Sequence, residues 1–231
     1  MKKLTVLMAI LLLSMTLYAD LITVDTIGPG FIYHSRVQAN PLMNIKILEI
    51  HTDNPRLSLD VVCARDTLGV SLEKTSSMAK RKNQSGRIVM GALNADFFNF
   101  SDYKAINSMI VSREYAQGVI TNRTMFGMTE ERRPVLGKIT FAGKVTHSSG
   151  QDYNLSGVNI TRGTDQMILY NTYQYQSTQT NQWGTEIRIR NLDTLRIGQA
   201  IRFEVMDKQS NIGNMPIQAG SFVLSGHGKA K

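Results

Sequence analysis

Between Gly91 and Phe100 the chain reads GALNADFFNF, an amide and a carboxylate two positions apart, then three aromatics within four residues. Sugars suit such a composition, because their hydroxyls take hydrogen bonds and their apolar C–H faces pack on aromatic rings. Asn94 can donate and accept, whereas an ionised Asp96 only accepts. In a strand, Asn94 and Asp96 project to the same side and Phe97 turns to the core. The plainer reading has both polar residues closing the strand by side-chain-to-backbone bonds.

Other chemical patterns are weaker. Ser71-Leu72-Glu73-Lys74 matches the S-x-x-K of penicillin-recognising enzymes, but no S-D-N or K-T-G accompanies it, and Ser71 reads as a helix cap. His34, His51, His147 and His227 form no H-x-x-x-H pair, and Asp152, Asp165 and Glu186 are scattered, so no metal-ligand spacing is present. Gly226-His227-Gly228 is either a catalytic or phosphate-facing turn or a backbone-driven glycine turn. There is no G-x-S-x-G elbow and no Walker A loop. The sequence names no cofactor.

The elements that would hold these residues follow from periodicity. MNIKILEIHT and RLSLDVVCAR alternate around DNPR (Asp53 to Arg56), the pattern of a β-hairpin. GVSLEKTSSMAKRKN puts Leu72, Thr75, Met78 and Ala79 on one face behind an N-cap at Ser71, which predicts a short amphipathic helix. Ile88 to Leu93 is an apolar run flanked by glycines, the signature of a buried central strand. INSMIVSREYAQGVI and RTMFGMTEERRPVLGKITFAGKVTH continue as strands with polar turns. QMILYNTY, EIRIRN, AIRFEVMDK and SFVLS are strand-like after the connector SSGQDYNLSG. The expected architecture is α+β: a helix packed on a mixed sheet over 20–145, followed by a mainly β inserted domain over 146–231.

The 231 residues, 42% hydrophobic, suffice for a real core. The chain opens MKKLTVLMAILLLSMTLYAD: basic Lys2 and Lys3, an apolar run, and a small Ala19 before Asp20. This is the pattern of a secretory signal peptide over 1–19, and its apolar run is short beside the roughly 20 residues of a bilayer span. The expectation is a secreted or periplasmic protein with no membrane association after cleavage. The net charge of +8 includes Lys2 and Lys3, and the basic cluster Lys80 to Arg87 lacks interleaved aromatics, so no nucleic-acid partner is expected. Cys63 is the single cysteine, which rules out an internal disulfide; its apolar setting reads as a buried small hydrophobe.

Several stretches together resemble the phosphodiester glycosidase family, typified by N-acetylglucosamine-1-phosphodiester α-N-acetylglucosaminidase. NADFF at Asn94 to Phe98 resembles the family's Asn-Gly/Ala-x-Phe-Phe strand end, with Asn94 on the motif and Asp96 at its variable place. INSMIVSREYAQG resembles the following strand and turn, with Arg113 where the family often has Gly. FGMTEERRPVLGKI resembles the Phe-Gly strand and polar turn, and LYNTYQYQSTQTNQWGTEIRI with FVLSGHGKA resembles an inserted β-rich region of bacterial members. The resemblance implies an exported hydrolase of sugar-1-phosphodiester or related cell-envelope glycan linkages, with a carbohydrate or sugar-phosphate as partner. Glycosidic cleavage needs an acid for the leaving oxygen and a group that stabilises oxocarbenium character. Asp96 and Glu186 are the candidate catalytic acids, and Asn94, Phe98 and His227 the candidate substrate-binding residues. The family's later Asp-Gly-Gly-Gly-Ser loop is absent, so an N-terminal portion with an incomplete catalytic sheet is expected. The alternative is a non-catalytic envelope glycan-binding protein.

Overall fold

The computed structural model describes residues 20–118, 123–193 and 196–231. The expected signal peptide over 1–19 lies outside them. The chain divides into two compact units, Met1–Ser58 and Leu59–Lys231.

The described part of the first unit is an antiparallel meander of β1 (Leu21–Gly28), β2 (Phe31–Ala39) and β3 (Leu42–Ile50). Gly30 turns β1 into β2 at φ +76°, where a Cβ would press on the His51 side chain at 3.1 Å. The expected hairpin of MNIKILEIHT with RLSLDVVCAR does not form: β3 pairs with β2, Ile50 opposite Phe31, and residues 57–63 hold no strand. β2 offers β3 nine matched partners, and the DNPR turn closes back instead, through Asn54 Nδ2 donating to the Pro29 carbonyl at 2.6 Å.

The second unit is built on a five-stranded sheet in the order β10 (Gly157–Val158), β11 (Met167–Tyr170), β14 (Phe222–His227), β12 (Gly184–Asn191), β13 (Phe203–Ser210). Only β10 and β11 run parallel. Three hairpins accompany it: β4 (Met109–Val111) with β5 (Glu114–Gln117), β6 (Thr124–Met128) with β7 (Pro134–Lys138), and β8 (Gly143–Thr146) with β9 (Asp152–Leu155). The β8–β9 hairpin spans residue 146, where the sequence suggested a boundary. The core gathers on the sheet around Ile168, Tyr170, Met215 and Val223, with Ile160 and Ile217 against it.

The α+β expectation is overturned. The described residues contain one α-helix, α1 (Thr75–Lys82), and it buries none of its residues, so no helix layer packs on a sheet and the protein is mostly β. The helix also starts later than its pattern suggested, at Thr75 rather than after Ser71, and Lys74 caps it without a side-chain bond. Tertiary partners account for the delay. Glu73 accepts Arg81 Nε at 3.1 Å, Arg81 Nη2 at 3.0 Å and the Arg65 N–H at 2.8 Å, which keeps the preceding residues extended. Those bonds, Arg81 first, hold the Glu73 carboxyl below its ordinary pKa.

The apolar run Ile88 to Leu93 is likewise no central strand. It belongs to no sheet, and Ile88 and Leu93 are 76% and 66% exposed. From Met90 to Asp96 the backbone makes no backbone hydrogen bond with a described residue.

Candidate functional site

The segment that opened the analysis becomes a long surface loop. Its two arms are tied by Ile106 N–H to the Phe97 carbonyl at 3.0 Å and Asn99 N–H to the Lys104 carbonyl at 2.9 Å. Asp96 clamps the base: Oδ1 accepts the Phe97 N–H at 2.8 Å and Asn107 Nδ2 at 2.7 Å, and Oδ2 accepts the Asn107 N–H at 3.2 Å. Asn94 Oδ1 accepts the Thr75 hydroxyl at 2.6 Å, which leaves its amide nitrogen without a partner among the described residues. Both side chains are exposed. Phe97 does not face a core; it is 72% exposed, because the strand that would have turned it inward is absent. Phe98 and Phe100 stack tilted, ring centroids 4.8 Å apart, and form a small aromatic wall on the same loop.

Beside the loop lies an open pocket of about 250 Å³, lined by Asn99, Asp102, Lys104, Gln117, Asn159 and Thr161, with Ala105 and the two isoleucines Ile106 and Ile160 as its apolar part. β5 delivers Gln117, and the residue after β10 delivers Asn159. Gln117 Nε2 donates to the Ala105 and Asn107 carbonyls, so its amide orientation is fixed. Asn159 is fully buried and saturated: Nδ2 donates to the Ala116 carbonyl at 2.8 Å and to Asn171 Oδ1, and Oδ1 accepts the Asn171 N–H at 3.0 Å. Lys104 Nζ donates to Gln174 Oε1 at 2.9 Å; burial lowers the pKa of its ammonium, and Asp102 works against that.

The other two candidates belong to a different place. Glu186, on β12, is fully buried. Its Oε1 accepts Ser225 Oγ at 2.8 Å and Thr180 Oγ1 at 2.9 Å, and Oε2 accepts the Met215 N–H at 2.7 Å. Arg162 joins through Ser225, donating Nη1 to Ser225 Oγ at 2.6 Å, while Nη2 holds the Asn181 carbonyl and Oδ1, each at 2.8 Å. A Cβ at Gly184 would collide with that guanidinium, which explains the glycine at the start of β12. The carboxylate is thus fully buried among three donors, an arrangement that organises the core around it. His227 ends β14, with its N–H on the Gln166 carbonyl at 3.1 Å, and neither it nor Glu186 lines the cavity beside the loop. The flanking glycines follow backbone needs: Gly226 packs against the Ala230 carbonyl, and Gly228 takes φ +63° against Asp165.

The structure therefore places Asn94, Asp96 and Phe98 on one loop, and Glu186 and His227 on strands of the five-stranded sheet. Sequence reasoning missed Gln117, Lys104 and Asn159. The available signal was a polar amide set in each of two apolar strand contexts, EYAQG and GVNIT. Cys63 is half-buried rather than sealed, and burial pushes its thiol pKa up. Among the described residues, no group of three or more His, Cys, Asp or Glu side chains could hold a metal ion.

No family model matches the chain, and no curated protein matches it. The chain is similar in fold to a solved structure of a hypothetical protein from Synechocystis, with a TM-score of 0.70 and 16% identity over 92% of this chain. It spans 38% of that protein's length. At that identity the likeness concerns the fold alone.

Proposed function

We propose that this chain carries the sugar-facing surface of an exported glycosidase-type hydrolase acting on sugar-1-phosphodiester or related cell-envelope glycan linkages, of the kind found in the phosphodiester glycosidases. The observation that carries the reading is the 94–107 loop. It presents the Asn94 amide nitrogen, which has no partner among the described residues, and the Phe98–Phe100 wall to solvent, and Asp96 spends its oxygens on holding that surface in shape. A second support is local: Arg113, at a turn where the family often has Gly, adopts φ +71°, the left-handed region in which glycine is at ease.

The sealed Glu186 favours a second reading, a non-catalytic envelope glycan-binding protein that uses the same loop. Purified chain is incubated with a sugar-1-phosphodiester beside Asn94→Ala. Turnover that falls with Asn94→Ala supports the hydrolase. Binding without turnover, again lost in the variant, supports the second reading. Glycan binding that survives Asn94→Ala refutes both.

A further inference from the structure

Residues 88–95, IVMGALNA, leave more main chain unpaired than their apolar composition warrants. From Met90 to Asp96 no backbone N–H or C=O finds a backbone partner among the described residues. No residue between Arg87 and Phe98 lies in the left-handed region, so nothing in the backbone prevents pairing as a strand. Ile88, Leu93 and Phe97 are 76%, 66% and 72% exposed. An apolar segment with unpaired main-chain groups is what a sheet edge offers to another strand.

Charge narrows what covers it. The chain carries a net charge of +8, so two copies repel over much of their surface. Residues 88–95 contain no charged side chain, so two copies meet there without bringing like charges together. An antiparallel edge is also complementary to itself, because a two-fold axis sets the N–H groups of one copy against the carbonyls of the other. Opposite residues of an antiparallel pair share a face, so that axis passes between a residue and its own copy. Gly91 is the only residue of 88–95 with no side chain to crowd the axis. Centred there, the register sets Val89 opposite the partner's Leu93, Met90 opposite the partner's Ala92 and Ile88 opposite the partner's Asn94. Arg87, at the rim, is already paired with Asp60, so the contact buries no lone charge. Eight residues a side is well under the ~20–30 of a standard interface, which makes the contact a weak, concentration-dependent one.

We propose that residues 88–95 form an edge through which two copies of this chain pair, antiparallel and centred on Gly91. The pairing rests on the exposed backbone and its lack of charge, and is independent of the sugar-facing function proposed above.

The test follows the purified chain by sedimentation equilibrium and amide hydrogen exchange from about 1 μM to about 200 μM. Leu93→Lys, Gly91→Cys and a control at another exposed apolar position, Leu136→Cys, run beside it. The wild-type chain passes from one copy to two over this range, and the amides of residues 90–94 exchange more slowly at its upper end. Leu93→Lys sets a charge against the partner's Val89 and weakens the dimer at least about tenfold, the loss expected for a buried leucine. With oxidised glutathione, Gly91→Cys gives a covalent dimer, because opposite residues bring their Cα atoms to about 4.5–5.5 Å, within disulfide reach. Leu136→Cys does not. Should Gly91→Cys fail to fold, Leu93→Lys, at a side chain already exposed, and the exchange data carry the test. A chain that stays single throughout, with residues 90–94 exchanging freely, overturns the pairing. So does a single chain with those amides protected, since another part of the same chain then covers them. A dimer that survives Leu93→Lys, or that leaves a folded Gly91→Cys unlinked, pairs through another surface and overturns it as well. Growth past two copies does the same, because a two-fold pairing closes.

Discussion

Replacing Glu186 with Gln distinguishes a core-organising carboxylate from a catalytic one. The native carboxylate takes three donors: two hydroxyls on Oε1 and the Met215 N–H on Oε2. A glutamine can orient two ways. With its oxygen toward Thr180 and Ser225, its NH₂ confronts the Met215 N–H, two donors face to face. With its oxygen toward Met215, its NH₂ points at the hydroxyls. Thr180 can turn its proton to Thr178 Oγ1 at 3.2 Å, but Ser225 Oγ already accepts Arg162, so the Ser225 hydroxyl proton then loses its buried acceptor. Either way one or two charge-assisted bonds are lost, each worth about 1.5–3 kcal/mol. Arg162 also loses the nearby negative charge that balances it in the core. Glu186→Gln is therefore expected to destabilise the second unit by about 2–4 kcal/mol, measured by urea unfolding with the slope held equal to wild type. Any change in glycan turnover should track the folded fraction. A midpoint within about 0.5 kcal/mol of wild type refutes the reasoning, since surface-like changes fall in that range. So does a folded, equally stable variant that has lost turnover.

Two further outcomes are expected. Ser112 and Arg113 form the two-residue turn between β4 and β5 with φ of +49° and +71°. Arg113→Gly relieves a left-handed L-residue, worth ~1–2 kcal/mol, and gives up the exposed Arg113–Glu130 pair at 3.1 Å, so thermal unfolding should show a net gain of about 0.5–1 kcal/mol; a destabilised variant refutes this. Side-chain hydrogen bonds from Arg202, reinforced by its backbone N–H, lower the Asp193 pKa to about 2. Because the folded pKa lies below the unfolded value of about 3.9, its stabilising contribution is complete above that value and fades as pH falls toward 2. Arg202→Gln should raise the Asp193 pKa in a carboxyl NMR titration, and an unmoved titration contradicts the assignment.

Much of the β content is written locally. Alternation in the sequence marked β12 and β13 as extended, although burial does not follow it: β12 begins with three buried residues and β13 is exposed along most of its length. The Gly226 and Gly228 turn was also legible, since only glycine tolerates such backbone approach. The aromatic-amide loop was singled out by composition, and it is the part of the candidate site that the fold keeps together.

Partner choice was not legible. Ile88 to Leu93 has every local mark of a strand, yet a strand's hydrogen bonds come from another strand, and no described one lies against it. The same holds for the two acids. Asp96 and Glu186 each take three donors, but those on Glu186 come from positions 180, 215 and 225 and bury it, whereas those on Asp96 come from Phe97 and Asn107 at the surface. Gln117 and Asn159 come to one pocket the same way, from segments more than 40 residues apart. The sequence by itself marked β11, β12, β13 and β14 as extended and singled out the amide–aromatic stretch. Tertiary structure decided which of those residues meet water, because burial is set by pairings between distant parts of the chain that no local period records.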